Sequence, residues 1–292
     1  MSEAVMKMRF ALVTLFVGSV LNGNESWKFK GSIEFISAEE PTWVVAHEGI
    51  RGFNEESGTV EVLVGAGDYA IYAEGDNISA TLVKAEEKLR LTTIWPADPQ
   101  DTKSLMLINR DLTRPRIGQQ SKGLLRQGDE LPRFAMYNQL GALVTPDDLT
   151  GRLLVMNFIF TRSEVPSMSP ATTDRMAELQ DRLAENGFTE DVRILSLSLD
   201  PDFDTPGICH IYLEKREINH DNFWMLTGDK KTLEFIRKQI GVVASPSQKT
   251  IINHSMVTLI ADREGKVFYR KPGSRWDVDD IYNRLEILLK TR

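Results

Sequence analysis

From Leu153 to Phe160 the chain is apolar at nearly every position. It then passes through a short polar stretch, Thr161 to Met168, into a segment of helical period. An apolar run of that length is the pattern of a strand covered on both faces, because a strand with one wet face would alternate. The helix expected from Pro170 to Asn186 places Met176, Leu179 and Leu183 on one side, and Asn186-Gly187 ends it. The same grammar repeats downstream. Val192 to Leu199 and Phe223 to Leu226 read as strands, and Pro206 to Arg216 and Lys230 to Ile240 as helices. Met256 to Ala261 and Lys266 to Arg270 form a hairpin about the turn from Asp262 to Gly265, and Asp277 to Lys290 reads as a closing helix. Strands that alternate with helices of this length build an α/β sheet with helices on both faces.

The preceding part of the chain obeys a different rule. Lys28 to Phe35, Trp43 to Ala46, Thr59 to Val64, Asn77 to Val83 and Leu89 to Ile94 are short β runs separated by turn residues, without a helical period. Such spacing predicts a small barrel or sandwich over residues 27–96. Residues 97–128 are rich in Asp, Gln, Arg and Pro and read as a linker with one apolar patch, Leu105 to Ile108. The α/β unit then occupies 129–292. At the other end, Lys7 and Arg9 precede an apolar stretch from Phe10 to Leu21, so residues 1–26 are expected to be a signal peptide or an uncleaved N-terminal anchor.

The length of 292 residues suits about two domains. With 41% hydrophobic and 26% charged residues the composition is that of a globular protein with a packed core. The net charge of −7, with no basic patch, disfavours nucleic-acid binding. The single cysteine, Cys209, can form neither an intrachain disulfide nor a two-thiolate metal site.

Several ordered motifs carry a resemblance. They are Gly128-Asp129-Glu130-Leu131-Pro132, Asn157-Phe158-Ile159-Phe160-Thr161-Arg162, Met168-Ser169-Pro170-Ala171-Thr172-Thr173, Ser196-Leu197-Ser198-Leu199-Asp200-Pro201, Asp204-Thr205-Pro206, Leu226-Thr227-Gly228 and Ile252-Asn253-His254-Ser255. Together they resemble the Sco/SenC family of the cell envelope. The resemblance implies a thioredoxin-like fold, copper chaperone activity and a role near cytochrome oxidase assembly. Members of this type carry cysteine where Ser163 and Ser169 stand, with a distant histidine that matches His254. Upstream, Val44 to Phe53, with His47, resembles a CusF-like copper-binding barrel, but the stretch that follows it, Asn54 to Thr59, contains no methionine.

Thiolates are soft donors that hold Cu(I), whereas a serine hydroxyl is hard and neutral. With serine at both positions the redox couple and most of the copper affinity are expected to be absent. No catalytic residue and no bound cofactor are therefore expected, and copper stays a candidate ligand. The candidate metal ligands are His254, Met168 and His47, each with a plain structural role as its alternative. Cys209 is expected to be a small buried apolar residue; with Met168 and His254 it is the other donor that an altered copper site could recruit. A serine hydrolase would need a base, which His254 could supply, but no orienting third group and no nucleophile elbow appear. Asp200, Asp202 and Asp204 alternate like calcium ligands, but no glycine follows at the required place, so loop solvation and helix capping are expected. The functional expectation is a non-redox binding or accessory protein. It would sit in the periplasm or be membrane-anchored facing it, with an unidentified envelope protein as partner.

Overall fold

The computed structural model describes residues 25–85, 88–97, 105–113, 124–246 and 252–291. The N-terminal segment read as a signal or anchor lies outside the described residues, except at its last two positions.

The first unit is a closed barrel. Its strands are β1 (Glu25–Ile36), β2 (Thr42–His47), β3 (Gly58–Leu63), β4 (Asn77–Ala85) and β5 (Lys88–Pro96), hydrogen-bonded in the order β1-β2-β3-β5-β4. Closure brings backbones close together. A Cβ at Gly31 would overlap the carbonyl oxygen of Ala46 on β2, so only glycine fits there. The interior is filled by Phe29, Ile33, Trp43, Val45, Ile78 and Leu82, none more than 1% exposed. Each such side chain contributes about 1.5–3 kcal/mol by leaving water.

Between β3 and β4 stands a helix that the strand pattern did not anticipate, α1 (Ala66–Ile71). At 6 residues it is too short for a period to show, and it contains Gly67, a poor helix former. Packing explains the glycine: a Cβ there would overlap the backbone of Gly207 in the second unit. The stretch read as a linker also contains a helix, α2 (Leu105–Leu112), which includes the apolar patch. Its buried Asn109 donates from Nδ2 to the Ala135 carbonyl (2.8 Å) and accepts from the Ala135 N–H (2.7 Å), as a neighbouring strand would. That pairing docks the helix onto the second unit.

The second unit opens with a hairpin of β6 (Met136–Tyr137) and β7 (Leu143–Val144), followed by α3 (Pro146–Leu149). Then come β8 (Leu153–Ile159), α4 (Ser169–Glu185), β9 (Val192–Ser198), α5 (Pro206–Glu214), β10 (Phe223–Leu226) and α6 (Lys230–Ile240). A second hairpin, β11 (Ala244–Pro246) with β12 (Ile252–His254), precedes β13 (Val257–Ala261), β14 (Val267–Pro272) and α7 (Val278–Lys290). The five-stranded sheet runs β10-β9-β8-β13-β14, with β8, β9 and β10 parallel and β13 antiparallel to β8.

Both faces of β8 are covered, as its sequence requires. Leu153, Val155 and Ile159 enter the core shared with α4, α5 and α7. Leu154, Met156 and Phe158 enter the core beneath α6 and the first hairpin. Asn157, the polar residue within this strand, accepts from the Ser196 hydroxyl on β9 (2.8 Å). Helix α6 shows how local the boundary signals are. Asp229 caps its N-terminus by accepting from Thr232 N–H, and Gly241 ends it at φ 84°.

Candidate functional site at the C-terminal edge of the sheet

Strand β8 is the centre of the sheet. Connections leave it to β9 on one side, and the chain later returns to β13 on the other. In open α/β sheets the crevice beyond the carboxyl ends of the strands at such a reversal is where ligands bind. Here it is built by the β8–α4 loop, the β9–α5 loop, the end of β10 and the second hairpin.

The β8–α4 loop is fastened from below. Asp204, fully buried before α5, accepts from the hydroxyls of Ser198 (2.6 Å) on β9 and Thr161 (2.5 Å) after β8. Its own carbonyl accepts from the Thr227 hydroxyl (2.6 Å) just after β10. One residue therefore ties together the ends of three parallel strands. Burial raises its carboxyl pKa to about 6, although the bonds from Ser198 and Thr161 pull the other way. Loop solvation and capping do not account for Asp204. It is a buried clamp, and Thr205 rather than Asp204 stands at the N-cap of α5. Beside it Arg162 pairs with Asp200 (Nε–Oδ2 3.1 Å) and covers the Phe203 ring at 4.2 Å. Asp202 pairs with Lys230. All three aspartates thus serve the loops that frame the site.

Ser163, Met168 and Ser169 lie together on this one connection. Ser163 and Met168 are half-buried, and Ser169 is the first residue of α4 at 0% exposure. The Ser169 carbonyl accepts from the Thr172 and Thr173 hydroxyls at 3.1 and 2.8 Å, yet its own Oγ is buried without a hydrogen-bond partner. His254 ends β12, where its backbone pairs with Ala244 of β11. Ala244 lines a cleft of 240 Å³ with Asp200, Asp202, Lys230 and Arg237, so the β12 strand reaches the same edge of the sheet.

The other two candidates are elsewhere. His47 is in the barrel, where its Nδ1 accepts from the Gly49 N–H (3.2 Å) and its ring meets Phe29 edge-on. Cys209 faces the core from α5, and its thiol donates to the Asp204 carbonyl at 3.7 Å. Burial pushes the Cys209 pKa well up, so no thiolate is available there and no partner copy can reach it. Cys209 accordingly drops out of any altered copper site, including one shared across a dimer.

On this loop Met168 offers a soft thioether and the two serines offer hard donors. Ser163 and Ser169 offer neutral hydroxyls where a soft ion needs sulfur, and one of the two is sealed in the protein interior. The sequence pattern did not mark Asp204 as a clamp, and it passed over His210 and Glu214 on α5 and His220 in the loop after it, whose ligand atoms lie within 4.8 Å of one another. The signal was present in part, since His210 and Glu214 are four residues apart on one helix.

A central strand feeding a helix through a pinned polar loop, with helices on both faces of the sheet, defines a thioredoxin-like domain that here follows a small β-barrel. Residues 124–290 match the model of the family described as SCO1/SenC, and the chain belongs to that family. A "SCO1 protein homolog" of Bacillus subtilis (strain 168) is 33% identical over 154 residues, covering 51% of this chain and 76% of that protein. Among solved structures, a SCO1/SenC family lipoprotein from Bacillus anthracis str. Ames superposes with a TM-score of 0.50 at 27% identity, over 56% of this chain and 99% of that one. BsSco, described as a member of the Sco family of cytochrome c oxidase assembly proteins and as carrying a disulfide switch, does so with a TM-score of 0.50 at 28% identity. That match spans 60% of this chain and all of BsSco. The family match begins after the barrel.

Proposed function

We propose that this chain is a Sco-type protein of the cell envelope that works by binding rather than by thiol redox chemistry, as an accessory to copper handling or cytochrome oxidase assembly. The observation that carries the reading is Ser169. The loop keeps the family frame, yet a hydroxyl without a partner stands in a fully buried position. A hydroxyl in such a place costs free energy and brings no soft donor, so its presence argues for a scaffold retained while metal and redox duty were lost. The B. subtilis homolog and the role in BsSco's description support the link to oxidase assembly. The relative described as a lipoprotein, together with Lys7, Arg9 and the apolar run after them, supports an envelope location. The barrel that precedes the domain is proposed to be a second binding module, related to CusF-like barrels and without their thioether ligands.

The test is Cu(I) competition against a strong chelator. The wild type is expected to yield no stoichiometric Cu(I) complex and no thiol–disulfide activity. Ser163→Cys plus Ser169→Cys is expected to create Cu(I) binding that a further His254→Ala weakens, with each single Cys variant binding far less. Stoichiometric Cu(I) uptake by the wild type would instead favour an altered site using Met168 and His254. A double-Cys protein that folds but binds no copper would remove the link to copper.

A further inference from the structure

The chain has four histidines, and two of them, His210 and His220, meet at one point. His210 and Glu214 are one turn apart on the same face of α5, where side chains at i and i+4 are neighbours. His220 reaches them from the following loop. That loop is shaped by a tight reversal: Ile218 N–H bonds the Leu213 carbonyl (3.3 Å), Glu217 N–H bonds that of Glu214 (3.0 Å), and Glu217 sits at φ 56°. This is the helix-ending turn that normally uses glycine. Gln180 of α4 holds the loop from the other side, donating to the Asn219 carbonyl and to Asn222 Oδ1, both at 2.8 Å. The position of His220 is therefore built by two elements.

The polar atoms in this corner are poorly used. Nδ1 of His210 is buried and has no hydrogen-bond partner. Nε2 of His220 stands 3.1 Å from Glu214 Oε1, close enough for an ion pair but without the alignment of a hydrogen bond. The two rings meet edge to face at 5.1 Å. A neutral imidazole with an unused lone pair is the form that coordinates a metal.

We propose that His210, Glu214 and His220 form a binding site for a divalent transition ion of borderline softness, Zn²⁺ or Cu²⁺, separate from the serine loop. Two imidazoles and one carboxylate are a ligand set such ions accept, with a fourth position left to water beside the exposed Glu214. Ligands about 2.1 Å from a tetrahedral ion stand about 3.4 Å apart. The three ligand atoms already lie within 4.8 Å of one another, so small side-chain rotations complete the set. The site contains no sulfur and therefore discriminates against Cu(I), the ion that the double-Cys loop would take. Hard ions such as Mg²⁺, which call for oxygen ligands, are also disfavoured.

The experiment uses the untagged full chain, with Zn²⁺ measured by competition against a chromophoric chelator and Cu²⁺ by electron paramagnetic resonance. One equivalent of ion is expected in the micromolar range or tighter, with nitrogen hyperfine structure in the Cu²⁺ spectrum. His220→Asn and His210→Ala should each weaken binding about tenfold or more, since even outer partners of metal ligands cost 10–100-fold. Glu214→Gln, which keeps shape and removes charge, should also weaken it, and it guards against misfolding of the histidine variants. His254→Ala should leave this binding unchanged. The assignment is overturned if the folded wild type binds neither ion saturably, or if the combined His220→Asn, Glu214→Gln protein binds as well as wild type. Loss of binding with His254→Ala alone would move the ion to the other edge of the sheet and equally overturn it.

Discussion

Ser169→Cys should stabilise this protein. Ser169 is at 0% exposure and its Oγ has no partner, so the folded state carries the desolvation of one hydroxyl without repayment. That penalty is about 1–3 kcal/mol. Cysteine behaves as a small apolar residue with a weak donor, so it removes most of the penalty. Its larger sulfur costs something in a packed site, and a net gain of about 1–2 kcal/mol remains. The bonds that Thr172 and Thr173 make to this residue go to its carbonyl and survive the change. For a domain of this size 1 kcal/mol moves Tm by about 2–4 °C, so calorimetry of the full chain under reducing conditions should show the second unit melting about 2–8 °C higher. Ser169→Ala should gain less, because it removes the hydroxyl and leaves a small void. Ser163→Cys, at a half-buried position, should stay within about 0.5 kcal/mol of wild type. If Ser169→Cys melts lower than wild type while Ser169→Ala is neutral, the site is shaped for oxygen and the account of a sulfur-bearing frame fails.

Two further outcomes follow from buried groups and backbone. Burial raises Asp68, which is on α1 against Gly207, from 3.8 to about 7 and Asp204 to about 6. The folded state therefore holds these protons more tightly than the unfolded chain, and their contribution is full below about pH 4 and is lost as pH rises toward 7. Asp68→Asn should flatten this part of the stability–pH profile in denaturant titrations from pH 4 to 8 and be the more stable protein at pH 8, by an amount on the order of a few kcal/mol; an unchanged slope would show that Asp68 is ionised in the fold. Glu217 sits at φ 56°, where a side chain costs about 1–2 kcal/mol. Glycine escapes that cost and loses about 0.5–1 kcal/mol of chain entropy, so Glu217→Gly should raise stability by about 0.5–1 kcal/mol in a denaturant melt.

Much of the architecture was legible because it is written in local terms. The double-sided apolar pattern of β8, the stripe of α6 with Asp229 before it and Gly241 after it, and the alternation within β3 reflect short-range sterics and burial that each segment satisfies by itself. The motifs around Ser163, Ser169 and His254 likewise pointed to the family and to the missing sulfur. Helices α1 and α2 were not legible: one is too short to show a period, and the other is held by a side chain, Asn109, that imitates a strand partner.

The sequence by itself determined the layer order, the family and the chemical identity of the loop's donors, because these depend on residue type and spacing along the chain. Only the tertiary structure decided what each polar group meets. It sealed Ser169, made Asp204 a clamp for three strand ends, buried Cys209 beyond reach and turned His220 back onto His210 and Glu214. The physical reason is that burial and coordination depend on which distant backbones converge. A residue's neighbours across a loop are set by the packing of the whole domain, which no local period records.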